Sequence, residues 1–452
     1  MKRKIYNKLR DWKINDSGKT ALLIEGARRV GKSYIATEFA KTEYKSYILV
    51  DFNKTSSDLR GIFDLYLDDL DTLFMYLTNY YNIKLYERES LIIFDEVQMC
   101  PRARGAIKYL VADGRYDYLE TGSLVSIKKN VKDIVIPSEE RSVKLYPMDF
   151  EEYLWAIGNE TLIGFIESCF SEGRELGQAM HRKAMDLFRQ YMIVGGMPQA
   201  VAEYAETRDF DSVDRVKRDI LALYRADISK HSNGQKMKAT GIFDEIPSWL
   251  GKREKRFMLS SLQKGARMRD YEDALFWLND AMIINTCYRA TEPSVGLKLN
   301  MDRPSLKCYM ADTGLLISHA FDESGLVSEE VYKKLLLGKL EVNKGMLLEN
   351  IVAQMLKASG HKLYFYSNAS REDSESRMEI DFLIAKSKIT NRHNISPVEV
   401  KSGKNYTMTS ITKFKKKYHE QLHIPYVLHT GDYNYDNDIG VVFTPVYMTP
   451  FL

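Results

Sequence analysis

The stretch GARRVGKS, Gly26 to Ser33, leaves the chain around it few choices of fold. It matches G-x-x-x-x-G-K-[ST], follows the apolar run TALLIE, and opens KSYIATEFAK, where Ile35 and Phe39 stand four apart as on one helical face. A strand that feeds a glycine-rich loop into a helix N-terminus makes a phosphate cradle. The glycines let backbone N–H groups close on phosphate oxygens, and the helix end adds partial positive charge. The expected ligands are therefore ATP and Mg²⁺. The nucleotide-binding run comprises Gly26, Ala27, Arg28, Arg29, Val30, Gly31, Lys32, Ser33 and Tyr34. Lys32 would reach the β- and γ-phosphates, and the Ser33 hydroxyl would ligate the metal.

A second stretch completes the site. LIIFDEVQ, Leu91 to Gln98, has four apolar residues that bury a strand and deliver Asp95 at its C-terminal end, where ligands bind in open α/β sheets. Asp95 is the second expected metal residue, held through water, and Glu96 is placed to orient or deprotonate an attacking water. The next strand-like segment, YDYLETGS, ends in Thr121 and Ser123, either of which could sense the γ-phosphate or cap a turn. Together with SYILVDF, these segments alternate with helical ones. Continuous apolar strands with helices between them predict a parallel sheet covered on both faces.

Composition narrows the partners. With 65 basic and 62 acidic residues the net charge is only +3, against a strongly polyanion-binding protein but compatible with a local basic patch. The four cysteines have no CxxC or Cys/His spacing, which speaks against a zinc site or a disulfide framework and fits a reducing cytoplasm. The basic N-terminus lacks the apolar run of a signal peptide, and no apolar run is long enough to span a membrane. The expected location is cytoplasmic, without a membrane partner.

A chain of 452 residues calls for more than one core. Four regions are expected: an ATPase domain over 1–148, a helical lid-like region over 149–238, a winged-helix-like region over 239–330 and an α/β domain over 331–452. The third reading rests on DYEDALFWLNDAMI at helical spacing followed by the β-branched MIINTCYRA; a helical subdomain with a short hairpin fits as well. In the fourth, KGMLLENIVAQMLKASG reads as a helix closed by Gly360, and KLYFYSN, MEIDFLIA, SPVEVKSG, IPYVLHTG and IGVVFTPVYM read as strands.

The run IEGARRVGKS, LIIFDEVQ, YLETGS, RSVKLYPMDFEEYL and GGMPQAV resembles the prokaryotic AAA+-type ATPases of the archaeal-ATPase-like branch. YMADTGLL, GMLLENIV, EIDFLI and PVEVKSG resemble the C-terminal domain of unknown function attached to them. The resemblance spans nearly the whole chain. It implies a polar sensor after the second strand motif, where Ser123 stands nearest, and an arginine completing the site, sometimes from a neighbouring subunit. Arg141 is the candidate, although related sequences usually read Gly-Arg where this one reads Glu140-Arg141. Self-association and a DNA or RNA partner are both open.

The resemblance further implies a restriction-endonuclease-like, PD-(D/E)XK fold at the C-terminus. That fold's site uses an acid on one strand, Glu-x-Lys on the next and often a helical glutamate. Residue by residue these are Asp381, Glu399 with Lys401, and Glu349, without the Pro-Asp pair that names the fold. Two carboxylates collect a hard cation, and the lysine orients water or stabilises developing charge. Glu379, two residues from Asp381, competes with it on the same face. Two readings stand: an active metal-dependent nuclease, or an inert fold with a polar outer strand. The basic run KFKKKYHE, with Lys404 nearby, is a candidate phosphate-backbone contact or a solvated helix face. The overall reading is an ATPase that couples nucleotide state to a nuclease-like or nucleic-acid-binding domain. The alternative is an ATP-dependent switch or scaffold that does not hydrolyse.

Overall fold

The computed structural model describes residues 1–123, 137–231, 235–252, 257, 262, 267–294, 296–321, 329–337, 339, 344–369, 373, 376–385, 394–403 and 405–452. These form two compact units, Met1–Tyr146 with Asp280–Met282, and Pro147–Asn279 with Ile283–Leu452.

In the first unit, helix α1 (Ile5–Asn15) precedes β1 (Ala21–Gly26), α2 (Lys32–Glu43), β2 (Ser46–Asp51), α3 (Ser57–Leu65) and α4 (Leu70–Tyr81). Then come β3 (Ser90–Asp95), α5 (Pro101–Asp113), β4 (Asp117–Gly122) and β5 (Glu140–Leu145). The five strands make one parallel sheet in the order β2-β3-β4-β1-β5. Every residue of β1, β3 and β4 is buried, as expected for central strands flanked by helices on both faces. On one face Phe52, Phe63 and Phe94 pack with ring centroids 5.5–5.7 Å apart, joining β3 to α3. Full burial of such a side chain stabilises by about 1.5–3 kcal/mol. The order sets β4 between β3 and β1, so Asp95, Thr121 and Gly26 end side by side at one edge of the sheet.

The second unit begins with helices. They are α6 (Phe150–Ala156), α7 (Glu160–Glu172), α8 (Gln178–Val194), α9 (Pro198–Thr207), α10 (Phe210–His231), α11 (Lys236–Gly251) and α12 (Met268–Asp280). Asp149 caps α6 through the Glu152 N–H at 2.9 Å, and Glu152 accepts from the Asp149 N–H, so two otherwise orphaned donors are satisfied. Between α8 and α9 the Gly195–Gly196 pair lets the backbone close on its neighbours. Gly195 has φ +82°, and a Cβ on Gly196 would stand 2.1 Å from the Met148 carbonyl oxygen. The Gly196 N–H donates to Asp312 at 2.5 Å, which ties GGMP to ADTGLL. Asp312 in turn caps α13 (Thr313–Ala320) through the Leu315 N–H.

The remaining elements are β6 (Ile284–Ala290), β7 (Met301–Met310), α14 (Glu329–Leu336), α15 (Lys344–Ala358), β8 (Tyr364–Asn368), β9 (Met378–Ile380), β10 (Phe382–Ala385), β11 (Ile395–Val400), α16 (Thr409–Tyr418), β12 (Tyr426–His429), β13 (Asn434–Asp436) and β14 (Val441–Pro445). They build two mixed sheets, β7-β6-β8-β9 and β10-β11-β12-β14-β13. The antiparallel ribbon of β6 and β7, read from sequence as part of a winged helix, thus shares its sheet with strands of the C-terminal region, β6 lying parallel to β8. Asp381 alone separates β9 from β10 and so carries the chain from one sheet into the other. All four cysteines are buried.

Candidate functional site

The loop between β1 and α2 is shaped by its glycines. A Cβ on Gly26 would meet the Leu145 carbonyl oxygen at 2.6 Å, and Gly31 adopts φ +97° immediately before the helix. Arg29 also takes the left-handed region, φ +67°, in the turn. Arg28, Arg29 and Tyr34 are exposed, whereas Ala27 and Val30 are buried beneath the loop. Lys32 is buried, and its ammonium donates to the Gly26 carbonyl at 3.1 Å and the Ala27 carbonyl at 3.0 Å. The lysine therefore lies folded over the concavity of its own loop.

The neighbouring strand ends supply the acids. The Ser33 hydroxyl donates to Asp95 Oδ1 at 2.7 Å, and the Thr121 hydroxyl donates to the same oxygen. Thr121 also accepts the Glu96 N–H at 3.2 Å. Glu96 has φ +54° and ψ +49°, a region sparsely populated by non-glycine residues and costing of order 1–3 kcal/mol. That kink turns the chain at the tip of β3. The Gln98 amide then donates to Glu96 Oε2 and fixes the carboxylate. Loop lysine, helix-end hydroxyl, aspartate and glutamate are thus assembled within the first unit.

Ser123 follows β4 at intermediate exposure, while Thr121 is the hydroxyl bonded to Asp95. Arg141 lies near the start of β5, opposite Leu22 of β1, and makes an ion pair with Asp16 at 2.6 Å. Four residues of parallel strand, about 13 Å, separate it from Leu145 beside the loop, so the structure does not bring it to the loop within this chain. Its neighbour Glu140 has a separate partner, accepting both Arg104 Nε at 3.0 Å and Arg104 Nη2 at 2.8 Å.

Sequence reasoning missed Arg3. It is buried and donates to the Val30 carbonyl at 3.0 Å and the Tyr146 carbonyl at 2.6 Å, clamping the loop from beneath. Nothing in MKRKIY distinguishes it from the basic residues around it.

The C-terminal carboxylates are also brought together, but around a residue the sequence reading passed over. Lys307 of β7 meets Glu379 at 2.9 Å, Glu349 at 3.1 Å and Asp381 at 3.6 Å. Asp381 Oδ2 accepts the Val400 N–H at 2.9 Å, and Glu399 pairs with Lys401 at 2.5 Å. Among the described residues no group of three or more His, Cys, Asp or Glu side chains is arranged to hold a metal ion. The signal for Lys307 was present in LKCYM, where a lysine interrupts an otherwise apolar run at the end of β7. In α16, Lys415 donates to the Gly440 carbonyl at 3.0 Å and is tied down; Lys404 lies outside the described residues.

Burial pushes the Glu399 carboxyl up to about 7, Lys401 offsetting only part of the shift. A folded-state pKa above the unfolded value near 4.5 means the folded chain holds the proton more tightly. The associated stability is complete below pH 4.5 and is lost as pH rises towards 7. Glu399→Gln should remove this component. The stability difference between wild type and variant, measured by urea denaturation, should shift by about 3 kcal/mol in the variant's favour between pH 4.5 and pH 8. An unchanged difference would disprove the assignment.

A five-stranded parallel sheet with a Gly-Lys-Ser loop after one strand and an Asp-Glu pair after another defines a nucleotide-binding domain of the P-loop class. Residues 18–154 match the model of the AAA domain family, so the chain carries an AAA-type ATPase domain that binds ATP. Residues 185–325 and 344–448 match two domains of unknown function, DUF8612 and DUF4143. No curated protein matches the chain significantly. Among solved structures it is similar to the Walker-type ATPase PABY2304 of Pyrococcus abyssi, at 14% identity and TM-score 0.40 over 70% of this chain and 95% of that one. The Thermotoga maritima RuvB Holliday junction branch migration motor scores 0.28 at 13% identity, over 74% and 95% of the two chains. Cdc6p from Pyrobaculum aerophilum scores 0.24 at 12% identity, over 74% and 92%. Likenesses of this strength bear on neither activity nor partner. Among the described residues no helix is long and apolar enough to cross a membrane.

Proposed function

We propose that this chain is a Mg²⁺-dependent ATPase whose nucleotide state controls its C-terminal region, a nuclease-like fold that recognises DNA or RNA. The observation that carries the hydrolytic half is the chain of contacts Ser33–Asp95–Thr121–Glu96, with Lys32 folded over the loop. A hydroxyl and a carboxylate 2.7 Å apart form a hard oxygen donor set that suits Mg²⁺. Ser33 and Asp95 would hold the ion, which when bound neutralises charge on the β- and γ-phosphates. The loop N–H groups and the start of α2 bind the phosphates, and Lys32 exchanges its two carbonyl partners for phosphate oxygens. Thr121 keeps Asp95 and the Glu96 backbone in register and is better placed than Ser123 to report the γ-phosphate. Glu96 orients the attacking water and accepts its proton. Arg141 would serve only if offered to the site of a second copy of the chain.

The C-terminal half of the proposal is supported by Asp381 at a strand corner beside Glu399 of β11 and Lys401 just past its end, with Glu349 on the helix before them. The test of the hydrolytic half is Glu96→Gln. ATP binding should stay within about threefold, while turnover falls by about 10²–10³. Equal turnover would overturn the role of Glu96. Tight binding with no turnover in wild type as well would instead leave a non-hydrolysing switch. ATPase rates with and without DNA and RNA test the coupling, and indifference to both would point to a protein client.

A further inference from the structure

Lys307 lies towards the end of β7 in an apolar run, and its side chain has no access to solvent. An ammonium so buried costs several kcal/mol unless charges and hydrogen bonds compensate. Three carboxylates do so, Glu379 at 2.9 Å and Glu349 at 3.1 Å within hydrogen-bond reach and Asp381 at 3.6 Å as an ion pair. Phe365 of β8 adds its ring face, 5.1 Å from Nζ. Burial alone would depress the lysine; Glu349, Glu379 and Asp381 outweigh it and hold the group well above its usual value. The carboxylates come from α15, from β9 and from the corner between β9 and β10. Glu349 is buried as well and accepts the Tyr309 hydroxyl at 2.5 Å, so its charge also needs a permanent counterion. Converging carboxylates from separate elements are what a divalent ion would need, and the ammonium stands at their meeting point.

We propose that Lys307 is the resident cation of this cluster, filling the position of a divalent metal, and that the C-terminal region recognises its partner without metal-dependent phosphodiester cleavage. Lys307 cannot act as the Lewis acid that polarises a scissile phosphate or lowers the pKa of a water. In the adjoining pair a second ammonium, that of Lys401, stands 2.5 Å from the Glu399 carboxylate. The inference goes beyond the ATPase reading and does not depend on it.

The test is Mn²⁺ titration of the full chain followed by electron paramagnetic resonance. Wild type, Glu349→Gln, Lys307→Met and the Lys307→Met/Glu349→Gln double variant share the Ser33–Asp95 site, so differences among them read the C-terminal cluster alone. Wild type and Glu349→Gln are expected to bind Mn²⁺ identically. Lys307→Met should gain one further site, at least tenfold tighter than residual surface binding, and the double variant should lose it. A wild-type Mn²⁺ site that Glu349→Gln removes would overturn the proposal. So would a folded Lys307→Met that gains none. Should Lys307→Met fail to fold, the wild-type and Glu349→Gln comparison decides the matter by itself.

Discussion

Lys32→Ala is expected to reduce ATP turnover by about 10²–10³ and to weaken nucleotide binding in parallel. Among the described residues the ammonium is the strong positive charge placed inside the loop's concavity, while Arg28 and Arg29 lie on its exposed side. In the structure it satisfies two carbonyls of the strand-to-loop turn, at 3.1 and 3.0 Å. The substitution therefore removes the phosphate partner and also frees the Gly26 and Ala27 carbonyls, loosening the turn. Loss of binding and turnover together separates this variant from Glu96→Gln, which should lose turnover alone. Equilibrium binding of a fluorescent ATP analogue, measured beside steady-state hydrolysis, distinguishes the two. Retained binding in Lys32→Ala would mean that the backbone and Ser33 suffice to hold the phosphates.

The second large effect is on stability. Arg104 of α5 is buried and makes a two-pronged contact with Glu140 of β5, itself nearly inaccessible. Glu120 of β4 is completely buried nearby, its carboxyl raised well above the usual range by burial and then by Glu140. Arg104→Met strands the Glu140 carboxylate in the core, and breaking a buried pair from one side costs about 3–5 kcal/mol. Urea denaturation should show a loss of that size. The double variant Arg104→Met/Glu140→Leu should recover most of it, because no unpaired charge then remains. A loss below about 1 kcal/mol in the single variant would show that water or a rearranged neighbour replaces the guanidinium. Glu140 is thus the counterion of a core arginine.

How much of this was legible depends on whether the chemistry is local in sequence. The phosphate loop could be read because eight consecutive residues carry its function and the flanking periodicities fix a strand before it and a helix after it. Asp95 and Glu96 could be read for the same reason. Thr121 and Ser123 could not be separated by inspection, because the choice rests on which side chain leaves β4 towards β3, a matter of strand register. Arg3 and Lys307 could not be given a role from sequence for another reason. Each acts on partners far along the chain, Tyr146 and Val30 for the first, Glu349, Glu379 and Asp381 for the second. The strand in MIINTCYRA is legible from its β-branched residues, yet the place of β6 beside β8 follows from packing that no local pattern encodes.

The single residue between β9 and β10 bears on how sequences of this kind can vary in length. Phe382 pairs with Val398, and the alternation then continues through Ile384 opposite Ser396. Each strand's side chains alternate faces with a period of two, so one inserted or deleted residue at Asp381 would turn every following side chain of β10 to the opposite face. It would also carry the Asp381 carboxylate away from the Val400 N–H and from Lys307. Insertions and deletions should therefore be absent from Met378–Ala385 in related chains. A gap-free block over these eight residues would be the imprint of that corner.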